Sequence, residues 1–391
     1  MKKVCVLLAG AIHKDFRVIK TMNVLSRYCR VDLYYLKPAP GDETLFGDNV
    51  QLFPVAPASG LKQRILRHSF FYNEYNYLAR EVIKQNQHYH FIWANDLTVL
   101  KPALAIKKTT GARLIYDSHE IYIETLNQFF PEQSRGFRKM AFGILLKFMK
   151  YFGTKAEKSM LRQVDEFVTV SNSVKNYFTE TYKRNNIHVV LNCPAFEQSS
   201  YEAVDLKSML GIDKNKFLLL YQGIMGYGRG LPLMIEAQKY THDDVHFVLM
   251  GDGMLRDSLI RLTETLNLTH KITFIDRVPT SQLLQYTRAA DGGIILQETD
   301  KNLSKKLGIA NKLFEYMHAG IPFVASNAPE NNAVAAQFNI CLIVENNVQH
   351  IARGIDALKD FDPVAVKEEA RKAAAMYNWE KQAEVISTIV Q

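Results

Sequence analysis

Residues 311–326, Asn-Lys-Leu-Phe-Glu-Tyr-Met-His-Ala-Gly-Ile-Pro-Phe-Val-Ala-Ser, place an amide, a cation and a carboxylate ahead of a glycine and an apolar run. As a helix, the segment puts Leu313, Phe314 and Met317 on one face and Asn311, Glu315 and His318 on the other. Gly320 suits the helix C-terminus and Pro322 cannot continue it, so a strand follows. Lys312 falls in the first turn, with Lys305 and Lys306 just upstream. Cations at a helix start oppose the macrodipole. The conflict disappears if an anion binds there, because free N–H groups and lysines both favour a phosphate. Glu315, one turn further in, can accept hydrogen bonds from sugar hydroxyls. The segment therefore reads as a nucleotide-sugar site with Lys306, Asn311, Lys312 and Glu315 as donor-binding residues. For an isolated helix, a solvated Glu315 paired with Lys312 is the plainer alternative.

The same anomaly recurs in Gln-Gly-Ile-Met-Gly-Tyr-Gly-Arg-Gly (222–230), where Arg229 precedes another helix. Four glycines let the backbone approach a ligand closely. Two such violations favour one diphosphate bridging two helix starts, against the alternative of a flexible loop with a solvated Arg229. Arg277, beyond the strand Ile272–Ile275, is counted with the donor-binding residues. In the first half, Asp117, Ser118, His119 and Glu120 follow a strand. His119 suits a hydrogen-bond donor, an acceptor or a general base, while Asp117 reads equally well as a loop residue satisfying backbone donors. Asp96 ends another strand and is either an acceptor contact or the N-cap of a helix beginning near Leu97. Gly10 follows the first strand, and Asp15 and Arg17 open the next helix, so this loop admits a phosphate or a sugar. Asp15, Arg17, Asp96 and Glu120 are the acceptor-binding candidates. Neither a dinucleotide Gly-x-Gly-x-x-Gly nor a Walker pattern is present. No Asp-x-Asp pair ends a strand and no His/Cys cluster has metal spacing, so no metal or other cofactor is expected.

Positioning these residues falls to short apolar runs that alternate with helical patterns along the chain. The alternation implies parallel sheets covered on both faces, an α/β fold. A length of 391 residues suggests two domains. The polar segment 193–206 is the best boundary. This gives a Rossmann-like domain over 1–195, a second over 206–377, and a final helix (378–391) expected to pack back on the first. In open sheets of this kind ligands sit beyond the carboxyl ends of strands, which is where the residues above fall. The four scattered cysteines point to a reducing cytoplasm. The apolar start of the N-terminus is short, reads as a buried strand rather than a signal peptide, and no run is long enough to span a membrane. The net charge of +8 fits nucleic acid, an anionic membrane or acidic substrates, but no nucleic-acid motif is recognisable. Part of that charge lies in 134–158, where Lys and Arg are set among Phe, Leu, Ile and Met. This segment reads either as a peripheral contact with the inner face of an anionic membrane or as a helix packed on the first domain with solvated lysines.

Together these residues resemble the retaining GT-B glycosyltransferases of the large group that uses nucleotide sugars. Glu315 through Ala325 matches the second Glu of that family's paired-Glu motif and the residues that follow it; the first Glu falls on Leu307. Gly251-Asp252-Gly253, Ala289-Ala290-Asp291, Tyr116-Asp117-Ser118-His119-Glu120 and Val170-Ser171-Asn172-Ser173 resemble its other motifs. In its "Gly-Arg…Lys-Gly" loop, Ile224 stands for the Arg and Arg229 for the Lys. The "Asn-Lys-Leu-Phe-Glu-Tyr-Met" run resembles a subgroup associated with capsule or lipopolysaccharide synthesis. The resemblance implies two Rossmann-like domains facing across a cleft. It also implies metal-independent transfer with retention, with Arg229 and Lys312 stabilising the departing diphosphate, Glu315 holding ribose and His119 positioning the donor sugar. A nucleotide-sugar epimerase and a non-catalytic nucleotide-sugar-binding protein are the alternatives. A hydrolase using Asp117 and Glu120 fits less well, because the two carboxylates lie on one loop.

Overall fold

The computed structural model describes residues 1–56, 75–126, 136–298 and 302–391. Residues 134 and 135 of the basic segment lie outside these. The chain divides into two compact units, Met1–Leu191 with Gln382–Gln391, and Asn192–Lys381.

The first unit is built on seven parallel strands: β1 (Lys2–Leu8), β2 (Cys29–Tyr35), β3 (Val50–Pro54), β4 (Phe91–Asn95), β5 (Arg113–Ser118), β6 (Glu166–Thr169) and β7 (Ile187–Val189). They lie in the order β3-β2-β1-β4-β5-β6-β7. β4 and β5 are buried almost end to end, as expected for strands with helices on both faces. The last helix, Trp379–Val390, delivers its C-terminal part to this unit. There Gln382 Oε1 accepts the Leu191 N–H at 2.9 Å and the Val390 carbonyl accepts Lys2 Nζ at 2.9 Å.

The second unit has six parallel strands: β8 (Phe217–Gln222), β9 (Val245–Met250), β10 (Ile272–Ile275), β11 (Gly292–Ile295), β12 (Phe323–Ser326) and β13 (Cys341–Val344), in the order β10-β9-β8-β11-β12-β13. Leu219, Tyr221, Phe247, Leu249, Ile294 and Val324 from the sheet meet Leu231, Ile235, Ile351 and Ile355 from the covering helices. The strands fall on the short apolar runs of the sequence, Ile272–Ile275 with the bounds read there. In each sheet the strand order reverses once, at β1/β4 and at β8/β11. The loops beyond those strand ends are the places where a doubly wound sheet opens a crevice for ligands. No described helix is long and apolar enough to cross a membrane.

Candidate functional site

In the second unit the reversal point is framed by the loop after β8 and the helix Asn311–Ala319. That helix is fixed over the sheet by Tyr316, whose buried hydroxyl donates to the Leu220 carbonyl at 2.9 Å and whose ring fills the space above Gly293. β8 ends at Gln222, which works as a crossbar. Its Oε1 accepts from Thr287 Oγ1 at 2.7 Å and its Nε2 donates to Glu315 Oε2. Glu315 is thus held at the mouth of the loop, half-buried. The loop itself lies backbone to backbone on the turn after β9. Met225 N–H donates to the Asp252 carbonyl at 2.8 Å, and a Cβ on Gly251 (φ 145°) would stand 2.0 Å from the Gly223 carbonyl oxygen. Gly251 therefore shapes the loop from beneath.

Three cations converge on this loop. Lys305 Nζ donates to the Tyr227 carbonyl at 2.7 Å, Lys312 Nζ sits 4.7 Å from the Tyr221 ring centroid, and Arg229 is part of the loop. Burial, and then the like charge of Arg229, push the Lys312 ammonium down to about 8, with Glu315 pulling the other way. The helices Leu231–Ala237 and Asn311–Ala319 start at Gly230 and Ala310 without a side-chain cap. Uncapped N–H groups and crowded cations in one place together favour an anion.

The structure moves several expected residues. Lys305 and Lys306, upstream of the helix Asn311–Ala319, occupy the last turn of a short helix of their own, Leu303–Leu307, where cations suit the dipole. Asn302 caps that helix through the Lys305 N–H. Its register turns Lys305 onto the loop and leaves Lys306 exposed. Asn311 is exposed at the start of its helix. Arg277 is exposed beyond β10, the edge strand, two strands away from the reversal point. His318, read as part of an outward face, is buried and donates to the Tyr377 carbonyl at 2.8 Å, because the helix Pro363–Met376 covers that side.

In the first unit the reversal point gathers Asp15, Asp96, Asp117 and His119. His119 Nδ1 lies 3.6 Å from Asp96 and 4.0 Å from Asp15, and its Nε2 lies 3.7 Å from Asp117. Asp117 is pinned by Arg17 at 2.7 Å and by Trp93 Nε1 at 3.3 Å. Burial works to lower the His119 pKa, but the carboxylates of Asp96 and Asp117 outweigh it and hold the imidazole up at about 9. Burial likewise works to raise Asp117, but Arg17 and His119 prevail and keep it well below the usual carboxylate range. Asp96 is raised, by burial first. The carboxylates thus favour the protonated imidazole, which donates hydrogen bonds.

Asp96 is no N-cap. Its backbone sits at φ 68°, ψ 163°, a region essentially reserved for glycine, and its carboxylate accepts the His119 N–H at 3.0 Å instead. Arg17 is also reassigned. It is buried between Asp117 and the Val190 carbonyl (2.6 Å), so the interior claims the guanidinium that was read as an acceptor contact. Asp15 caps its own helix through the Val18 N–H at 3.1 Å while still facing His119. Glu120 is exposed next to this cluster, and Gly10 is half-buried in the loop after β1. Gln222, Thr287 and Trp93 had no role in the sequence reading. Gln222 carried a signal, being a polar residue at a strand end; the other two had none.

Residues 205–375 match the family described as "Glycosyl transferases group 1" and residues 23–193 match "Glycosyltransferase Family 4". An uncharacterized glycosyltransferase of Methanocaldococcus jannaschii is 25% identical over 228 residues, which cover 55% of this chain and 57% of the relative. The chain thus spans little more than half the length of that curated relative. Among solved structures, HepE of Anabaena in complex with UDP and glucose is similar in fold, with a TM-score of 0.76 at 15% identity over 100% of this chain and 99% of that one. WaaG, a glycosyltransferase involved in lipopolysaccharide biosynthesis, is similar with a TM-score of 0.66 at 17% identity over 99% of each chain.

Proposed function

The chain belongs to the GT-B glycosyltransferases, and on that premise we propose that it moves a sugar from a nucleoside-diphosphate sugar to a hydroxyl of a glycan or lipid-linked acceptor, with retention at the anomeric carbon. The observation that carries this reading is the convergence of Arg229, Lys305 and Lys312 on the glycine-rich loop at the β8/β11 reversal, beside a carboxylate. In the reaction the bond from the anomeric carbon to the diphosphate oxygen breaks and a bond to the acceptor oxygen forms on the same face. The acceptor proton passes to the departing phosphate. Arg229, Lys305, Lys312 and the uncapped N–H groups stabilise the charge that develops on that diphosphate. Glu315, oriented by Gln222, accepts from the ribose hydroxyls. His119, as an imidazolium oriented by three carboxylates, donates to the sugar.

The cations take the role a metal would otherwise fill, so transfer is metal-independent and a chelator leaves the rate unchanged. The reading carries a cytoplasmic location and a place in cell-surface polysaccharide synthesis. The four unbridged cysteines and the likeness in fold to WaaG support it. A thermal-shift screen across nucleoside diphosphates identifies the donor class, and sugar transfer to a lipid extract then tests catalysis. Arg229→Ala is expected to lower kcat/KM by about 100-fold or more, roughly 3 kcal/mol. Transfer by Arg229→Ala at the parent rate would remove Arg229 from the mechanism. Donor conversion without any acceptor would mark an epimerase instead.

A further inference from the structure

The helix Gly136–Leu161 is apolar on two opposite sides, and among the described residues the unit covers only one of them. Phe142, Leu146, Met149, Gly153, Glu157 and Leu161 recur every three or four residues and turn inward. At Gly153 the fit is so close that a Cβ would stand 2.8 Å from Ile123. The opposite side carries Met140, Ile144, Phe148, Tyr151 and Phe152, with exposures from 42% to 63%. Monomers rarely leave so continuous an apolar ridge in water. The ridge is ordered by its own contacts. Phe148 and Phe152 lie 4.3 Å apart, Phe152 meets Tyr151 edge-on at 5.3 Å, and Lys155 Nζ stands 4.3 Å above the Tyr151 ring.

Charge decides what covers it. The helix holds six Lys and Arg against a single Glu, so this one element carries five of the chain's net eight positive charges. The Glu is Glu157, buried on the inner side and bonded to Tyr182. Lys150 is engaged by Glu124 at 2.6 Å, whereas Lys147 and Lys155 are exposed beside the ridge. A second copy of the chain meeting this face across a two-fold axis would set these lysines against their own duplicates. A nucleic acid would match the charge and leave the apolar ridge uncovered. An anionic bilayer surface satisfies both features: the ring and aliphatic side chains enter the headgroup boundary and the lysines reach acidic headgroups.

We propose that the exposed face of the helix Gly136–Leu161 docks the protein on an anionic membrane surface. The inference stands whichever sugar the protein moves. The test is flotation of the full chain with phosphatidylcholine vesicles, with and without phosphatidylglycerol. The chain is expected to float with the anionic vesicles, to be released by high salt, and to stay behind with phosphatidylcholine alone. The double variant Ile144→Asp/Phe148→Asp is expected to bind at least about tenfold more weakly. Lys147→Glu/Lys155→Glu should lose about tenfold as well. Both should keep the parent thermal midpoint and nucleotide response, since every altered side chain is exposed. A parent chain that fails to float with anionic vesicles overturns the proposal, as does undiminished binding by both variants. So does a dimer in sedimentation equilibrium that Ile144→Asp/Phe148→Asp separates, which would assign the ridge to a second copy.

Discussion

Asp96 holds a backbone conformation that costs on the order of 1–3 kcal/mol for any residue but glycine. A protein indifferent to the carboxylate would gain by placing glycine there. Asp96→Gly should therefore leave thermal stability unchanged or higher while sugar transfer falls, because the His119 N–H and imidazole lose a partner. A loss of both stability and activity would show Asp96 to be structural. His119 gives a second expectation, in the pH dependence of stability. Its pKa is raised from an ordinary 6.5 to about 9, so the stabilisation is complete below pH 6.5 and is lost as pH rises through 9. The loss is on the order of 3 kcal/mol. Denaturant unfolding of the parent should weaken across that window, and His119→Gln should show no such fall. At this scale the sequence was a partial guide. It placed Asp96, Asp117 and His119 at strand ends, and the structure gathers them. It could not show that Arg17 is claimed by Asp117, a partner 100 positions away that only the β1/β5 arrangement brings close.

At the scale of elements, the strands were legible because parallel strands covered on both faces are written as continuous apolar runs. The short pieces between them were harder. Helix Leu303–Leu307 has five residues and is set by the cap at Asn302, so nothing periodic revealed whether Lys305 or Lys306 would face the loop. The reading of His318 assumed one covered face on the helix Asn311–Ala319, whereas Pro363–Met376 covers a second. Gly251 illustrates the reverse case, a motif residue whose purpose appears only in three dimensions. Its missing side chain admits the Gly223 carbonyl, and its φ of 145° suits glycine alone. Gly251→Ala should lower stability by at least about 2 kcal/mol in urea unfolding. It should also weaken nucleoside-diphosphate binding, because the loop that carries Arg229 must shift. Unaltered binding in a destabilised Gly251→Ala would separate loop shape from donor affinity and argue against the cradle.

The whole molecule comprises two bodies, each with its own sheet, and the chain passes between them twice, near residues 191 and 381. The proposed diphosphate receptacle draws only on second-unit residues: Gln222, Arg229, Lys305, Lys312 and Glu315. A ligand that binds only the native form of one body stabilises that body by mass action, by about 2.7 kcal/mol at a hundred times its dissociation constant. Calorimetry with a nucleoside diphosphate should therefore raise one of two unfolding transitions and leave the other in place. Deleting 382–391 should have the complementary effect. It removes the partners of Lys2 and Leu191 and so lowers the transition that the ligand does not move. If the nucleotide and the deletion act on the same transition, either the receptacle has been assigned to the wrong body or the two bodies melt as one cooperative unit. The deletion measured without ligand decides between these, since a single unit shows one transition before and after.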